Sequence, residues 1–179
     1  NVLLVHAAGN DAKDVDYADN YPNPNYVNGG RAGTVITVGA SAEPKSGSYT
    51  ASFSNYGKKE VDVFAPGAKI YSTLPGGNNY GNLSGTSMAG PVVAGIAALT
   101  LQYYPNLTAK QLKYVIEKSA LQPKEKVNKP GSEEKVQLNE ISKTGGIVNA
   151  YEAVKLASTL TGENKEILPK PKMKKSKKG

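Results

Sequence analysis

Apolar positions come in blocks along this 179-residue chain. Residues 2–8, VLLVHAA, form an unbroken apolar run that stops at Gly9. A short run without alternation predicts a strand covered on both faces, as in a parallel sheet. Residues 10–32 are polar and carry Pro, Asn and Gly throughout, the composition of a loop. Residues 34–41, TVITVGAS, are β-branched and predict a second strand, and 61–67, VDVFAPG, a third that is closed by Pro-Gly. SFSNYG at 52–57 is turn-rich, KIYSTL at 69–74 predicts a further strand, and PGGNNYG at 75–81 a glycine-rich loop.

The pattern then changes period. From about Ser87 to the residue before Pro105, Val92, Val93, Ala94, Ile96, Ala97, Leu99 and Leu101 face nearly every direction of a helix. A helix apolar all round is a buried one. Proline is tolerated only near a helix start, so Pro91 sets that start at about Ser87–Met88. Thr108 and Gln111 have capping-box spacing, and Leu112, Val115 and Ile116 behind them give an amphipathic second helix. Residues 121–145 are a Lys- and Glu-rich excursion containing Pro and Gly. Asn149 is placed to cap a last helix through 160, with Ala150, Val154, Ala157 and Leu160 at helical spacing. Strands alternating with helices predict an α/β class.

Charge alters the picture only at one end. The net charge is +7, but residues 162–179 hold seven lysines against two glutamates, so most of the excess belongs to a Pro/Lys-rich tail. The reading is therefore a domain over 1–160 and a disordered tail or linker over 161–179, with no nucleic-acid partner. No stretch of about 18 apolar residues suggests a membrane span. The absence of cysteine excludes disulfides, Cys-based zinc sites and thiol catalysis.

Candidate chemistry sits at the head of the long helix. Ser87, in GTSMAG, lies where free backbone N–H groups and the positive helix end favour negative charge. Local physics alone leaves two readings open, a nucleophile on a rigid mount and an ordinary N-cap serine.

The segment GTSMAGPVVAG at 85–95 resembles the nucleophile motif of the subtilisin-like serine peptidases, the subtilases. AAGN at 7–10, VITVGAS at 35–41, ASFSNYG at 51–57, VDVFAPGAKIYSTLPGG at 61–77 and GGIVNAYEAVKLA at 145–157 resemble further family segments in the same order. The resemblance covers roughly residues 1–160. It implies a three-layer fold with a mostly parallel sheet flanked by helices, here without its first strands. It implies a serine endopeptidase in which Ser87 is the nucleophile and Asn10, with the Ser87 backbone N–H, binds the oxyanion. Thr86 would support that hole, and Ala7, Ala8 and Gly9 would wall the pocket for the side chain before the scissile bond. The substrate would be a polypeptide, no cofactor would be required, and the enzyme would be extracytoplasmic or secreted.

The resemblance also exposes a gap. The family carries its triad in the order Asp, His, Ser, yet nothing acidic precedes His6, the one histidine. The order His6, Asp62, Ser87 is formally possible, but His6 lies in the apolar run before Asn10 and reads as a packed or pocket-adjacent residue. The chain begins without Met or leader, and the triad Asp and His are expected upstream, in a missing N-terminal part of the same domain. This chain alone is then inactive. Val92 stands where the family often has histidine, a difference in helix packing and not in the triad. An α/β-hydrolase is excluded, since no histidine follows Ser87. The alternative function is a catalytically dead scaffold or binding domain of the same fold. Calcium is common in the family, and Asp11, Asp14, Asp16 and Asp19 offer oxygen ligands, but their spacing reads as a solvated acidic loop.

Overall fold

The computed structural model describes residues 1–43 and 48–164. Most of the predicted lysine-rich tail, from 165 onward, lies outside the described residues. Residues 161–164 are tied to the body: the Asn164 N–H donates to Asn106 O at 2.8 Å, and Gln111 Nε2 to Thr161 O at 2.8 Å.

The three apolar runs form one parallel sheet. Strand β1 (Leu4–Ala7) pairs with β2 (Val35–Ser41), which pairs with β3 (Val63–Pro66), in the order β1-β2-β3. The central strand is covered on both faces: Ile36, Val38 and Ala40 face one core, and Thr37 and Ser41 are buried on the other side, whereas double coverage was expected of residues 2–8. Strand β1 departs from it. Among the described residues it is an edge strand with one neighbour, Leu4 is 58% exposed, and Val2 just before it is 67% exposed.

Next come a hairpin of β4 (Ile70–Leu74) and β5 (Asn79–Leu83), helix α1 (Thr86–Tyr103) and helix α2 (Ala109–Lys118). β5 falls partly on the predicted loop 75–81: NYGNL lacks apolar alternation, and it is a strand because its backbone pairs with β4. The excursion after α2 contains a small hairpin of β6 (Val127–Asn128) and β7 (Lys135–Val136), then one turn of helix, α3 (Leu138–Ile141), before the closing helix α4 (Ala150–Ala157). Both predicted caps are present. Gln111 N–H donates to Thr108 Oγ1 at 3.2 Å while Thr108 N–H donates to Gln111 Oε1 at 2.9 Å, and Glu152 N–H donates to Asn149 Oδ1 at 3.1 Å.

A parallel sheet flanked by helices makes this an α/β fold. On one face α1, α2 and α4 bury Ala89, Val93, Ile96, Leu112, Val115 and Ala153 against Ile36, Val38 and Val63. On the other face Phe64, fully buried, packs with Ala8, Val15, Val127, Leu138 and Ile141. Gly39 makes room for it, since a Cβ there would stand 2.7 Å from the Phe64 ring.

Helix α1 differs from its predicted burial. Its sheet-facing side is covered, but Ala94, Gly95, Ala98 and Leu99 are exposed, with no element packed over them among the described residues. Its start also differs: the helix begins at Thr86, so Pro91 stands inside the second turn. The missing proline N–H is the one that would have bonded to Ser87 O.

Candidate active site

Two segments meet at the C-terminal end of β1. One is Ala7–Asn10, leaving the strand; the other is Gly85–Ser87, entering α1. The N-cap of α1 is Gly85, which makes no side-chain cap bond, and Ser87 is the second helical residue. The ordinary N-cap reading of Ser87 therefore falls away. Ser87 is exposed, and neither its hydroxyl nor its backbone N–H has a hydrogen-bond partner among the described residues. Its N–H is one of the first-turn donors that every helix leaves open.

Thr86 joins the two segments. It is 1% exposed, its backbone N–H donates to Asn10 Oδ1 at 2.8 Å and its hydroxyl to the same oxygen at 3.1 Å. The same hydroxyl oxygen accepts from Gly9 N–H at 3.1 Å. The Asn10 carbonyl oxygen is engaged twice, and the Asn10 Nδ2 and the Ser87 N lie 3.7 and 3.6 Å from where a Cβ on Gly85 would stand. A ligand oxygen bearing negative charge fits a pair of donors like this.

A residue not anticipated from sequence fixes the other side. Asn55, 2% exposed, donates from Nδ2 to Ala8 O at 2.9 Å and accepts on Oδ1 from Asp11 N–H at 3.0 Å and Lys13 N–H at 2.9 Å. Its backbone N–H donates to Gly9 O at 2.9 Å. The only sequence signal for it was an asparagine in the turn-rich SFSNYG. Gly9 has φ +100, and a Cβ there would collide with the Asn55 side chain, so this crossing admits glycine alone. Ala8 is fully buried; Ala7 and Gly9 are half-buried beside it.

These contacts bring Asn10, Thr86 and Ser87 together, with Ala7–Gly9 alongside, and a profile of the subtilase family matches residues 1–147. The chain belongs to the subtilase family. It is similar to subtilisin DY of Bacillus licheniformis, 41% identical over 117 residues that make 63% of this chain and 37% of that protein. It is also similar to the extracellular serine proteinase of Thermus sp. (strain Rt41A), 44% identical over 112 residues, 62% of this chain and 24% of that one. Among solved structures, the subtilase cytotoxin SubAB assembly matches 87% of this chain and 48% of its own with a TM-score of 0.66 and 25% identity. A protease of Pseudoalteromonas arctica PAMC 21717 matches 87% and 42%, TM-score 0.63, 29% identity. This subtilase chain thus spans well under half the length of the curated relatives it matches.

Within it, His6 and Asp62 are not brought to Ser87. His6 lies in β1 opposite Thr37 and lines a polar cavity of about 200 Å³ with Asp16, Asn20 and Glu60. Ser87 lines a different cavity, with Ile70, Leu74, Leu83, Met88 and Pro91. Burial, and then the positive charge of Arg31, push the His6 pKa below its ordinary value, and its Nδ1 is buried without a partner.

Asp62 is fully buried and wholly engaged. Arg31 donates to both its oxygens at 2.6 and 2.9 Å, Lys113 at 3.0 Å and Thr37 N–H at 2.7 Å. Burial raises its pKa, but the hydrogen bond and charge of Arg31, with Lys113 and the Thr37 N–H, outweigh that and hold it at about 2. A carboxylate clamped in this way has no face left for an imidazole.

The acidic loop is similarly occupied. Asp14 Oδ1 accepts from Asp16 N–H at 3.1 Å, and the Asp16 carboxylate from Lys59 and Glu60 N–H at 3.0 Å each. Among the described residues no group of three or more His, Asp or Glu is arranged to hold a metal ion. No helix of the described residues is long and apolar enough to cross a membrane.

Proposed function

We propose that this chain is the C-terminal part of a subtilase catalytic domain, covering residues 1–160, and that the whole protein is a serine endopeptidase. Ser87 Oγ attacks the carbonyl carbon of a peptide bond. The developing oxyanion takes hydrogen bonds from Asn10 Nδ2 and the Ser87 N–H, while Thr86 holds Asn10. The C–N bond breaks, an acyl-enzyme remains on Ser87, and water releases it. Ala7–Gly9 wall the pocket for the side chain before the scissile bond. The histidine that takes and returns the proton, and the aspartate that orients it, come from outside these 179 residues.

The observation that carries this reading is the double engagement of Asn10 Oδ1 by Thr86. A scaffold has no use for an amide oriented by a buried threonine beside an open helix N–H. Two further features support a missing part of the domain. The sequence of α1 is apolar all round, yet among the described residues one side of it is uncovered and β1 pairs on one side alone, with Val2 and Leu4 exposed there. A chain spanning 37% of subtilisin DY leaves ample sequence to cover both. Polypeptide substrates and an extracytoplasmic location belong to this proposal, the latter supported by a relative named as extracellular.

A fluorophosphonate probe tests it. The full-length protein takes the probe, Ser87→Ala abolishes the labelling, and this chain alone hydrolyses no peptide. Labelling that persists in Ser87→Ala refutes the nucleophile, and a full-length protein that never labels is the dead scaffold.

A further inference from the structure

Residues 161–164 are strapped across the turn between α1 and α2. Gln111 Nε2 donates to Thr161 O at 2.8 Å, and Gln111 Oε1 accepts from Glu163 N–H at 3.1 Å. The Asn164 N–H donates to Asn106 O at 2.8 Å. Gly162 lies so close to this turn that an added Cβ would stand 2.4 Å from Asn106 O. The strap therefore follows a fixed course. It delivers Asn164 to Asn106, which stands between Pro105 and Leu107 in the sequence.

Asn164 lines a cavity of about 270 Å³ between the start of β1, the C-terminal half of α1 and the first turn of α2. Its walls include Val2, Leu3, Val5, Ala97, Leu101 and Leu107, and no charged side chain lines it. Asn1 is the other polar residue in the wall, and its Oδ1 accepts from Ala109 N–H at 2.7 Å. Leu3, Val5 and Leu101 pack against the main core yet are only partly buried. A cavity of this kind is stabilised by apolar side chains and disfavours lysine and glutamate.

Beyond Asn164 the sequence continues Lys165, Glu166, Ile167, Leu168, Pro169, and lysines dominate after that. Ile167 and Leu168 are the one pair of adjacent large apolar residues past the strap. They follow Asn164 by three and four residues, within a reach of about 10–14 Å of extended chain. We propose that Ile167 and Leu168 dock in this cavity, closing the groove between β1 and α1. The lysines from Lys170 onward then start from an anchored point on the surface and keep their charges in water. This docking does not involve Ser87.

The test uses the full-length protein. A photoreactive Leu168→p-benzoylphenylalanine variant is irradiated and its cross-links are mapped by mass spectrometry. Attachment within residues 1–5 or 94–112 supports the docking. Attachment to residues upstream of Asn1 shows that another segment faces the pair, and that outcome, attachment elsewhere in the chain, or none, overturns it. Leu168→Asp should lower the unfolding temperature by about 5 °C, while Lys174→Asp leaves it unchanged. Leu101→Ala on the cavity side should lower it too, and in the double variant with Leu168→Ala the loss should fall short of the sum of the two, because the side chains touch. Strictly additive losses, or a Leu168→Asp protein as stable as Lys174→Asp, overturn the docking.

Discussion

Thr86 gives both its backbone N–H and its hydroxyl proton to one atom, Asn10 Oδ1, at 2.8 and 3.1 Å. The hydroxyl oxygen then accepts from Gly9. One buried side chain so fixes the rotation of the Asn10 amide and the segment after β1 that carries it. Thr86→Val keeps the shape, removes the hydroxyl and leaves only the backbone bond. We expect kcat of the full-length protein to fall about fivefold with KM little changed, as for loss of one hydrogen bond of about 1 kcal/mol in the transition state. Thr86→Ser restores most of the loss. A fall in KM and kcat together, unrescued by serine, counts against the positioning role.

Asn10→Ala removes a donor itself. In subtilisin, loss of the oxyanion asparagine is known to cost about 10²–10³ in kcat. That established value, rather than anything measured on this chain, sets the expectation. Burst kinetics should place the loss in acylation.

His6 lines a cavity apart from Ser87, where burial and the charge of Arg31 disfavour its protonated form. His6→Val should therefore leave fluorophosphonate labelling of the full-length protein within a few-fold of wild type. Removing a catalytic base costs orders of magnitude more, so loss of labelling in a folded His6→Val protein would restore His6 as a base.

Asp62 makes stability depend on acid. Its folded pKa, about 2, lies below the ordinary aspartate value near 3.9. Its contribution is thus complete above about pH 4 and disappears as pH falls through the folded value toward 2, amounting to about 2 kcal/mol. Urea midpoints measured from pH 5 to 2 should fall steeply, and Asp62→Asn should flatten that slope while lowering stability at pH 7. An unchanged slope would show that the clamp of Arg31 and Lys113 contributes nothing through Asp62.

Gly9→Ala meets two penalties at once, a left-handed φ of +100 and the Asn55 side chain. Strain of this kind costs about 1–3 kcal/mol. Thermal unfolding should report it, and activity should fall further than stability explains, because Asn10 is the next residue.

Much of this was legible in the chain. Parallel strands and both helix caps follow from apolar runs and cap spacing, and the family resemblance of AAGN and GTSMAG already paired the two segments that the Thr86–Asn10 bonds join. What escaped was set by contacts between distant residues. Asn55 is an unremarkable turn residue until Ala8, Gly9, Asp11 and Lys13 fold around it. The clamp of Arg31, Asp62 and Lys113 joins three scattered charges that no local pattern connects. Strand β5 has no apolar rhythm, and only its pairing with β4 makes it a strand. Helix α1 is apolar all round in sequence, a pattern that reads as full burial, whereas among the described residues only its sheet-facing side is covered.

The free side of β1 has a consequence for anyone handling the chain in isolation. An unpaired strand carrying exposed Val2 and Leu4 offers its N–H and C=O groups to whatever extended backbone it meets first. That edge is where the chain is open to pairing with its own copies, because β1 has one partner strand among the described residues.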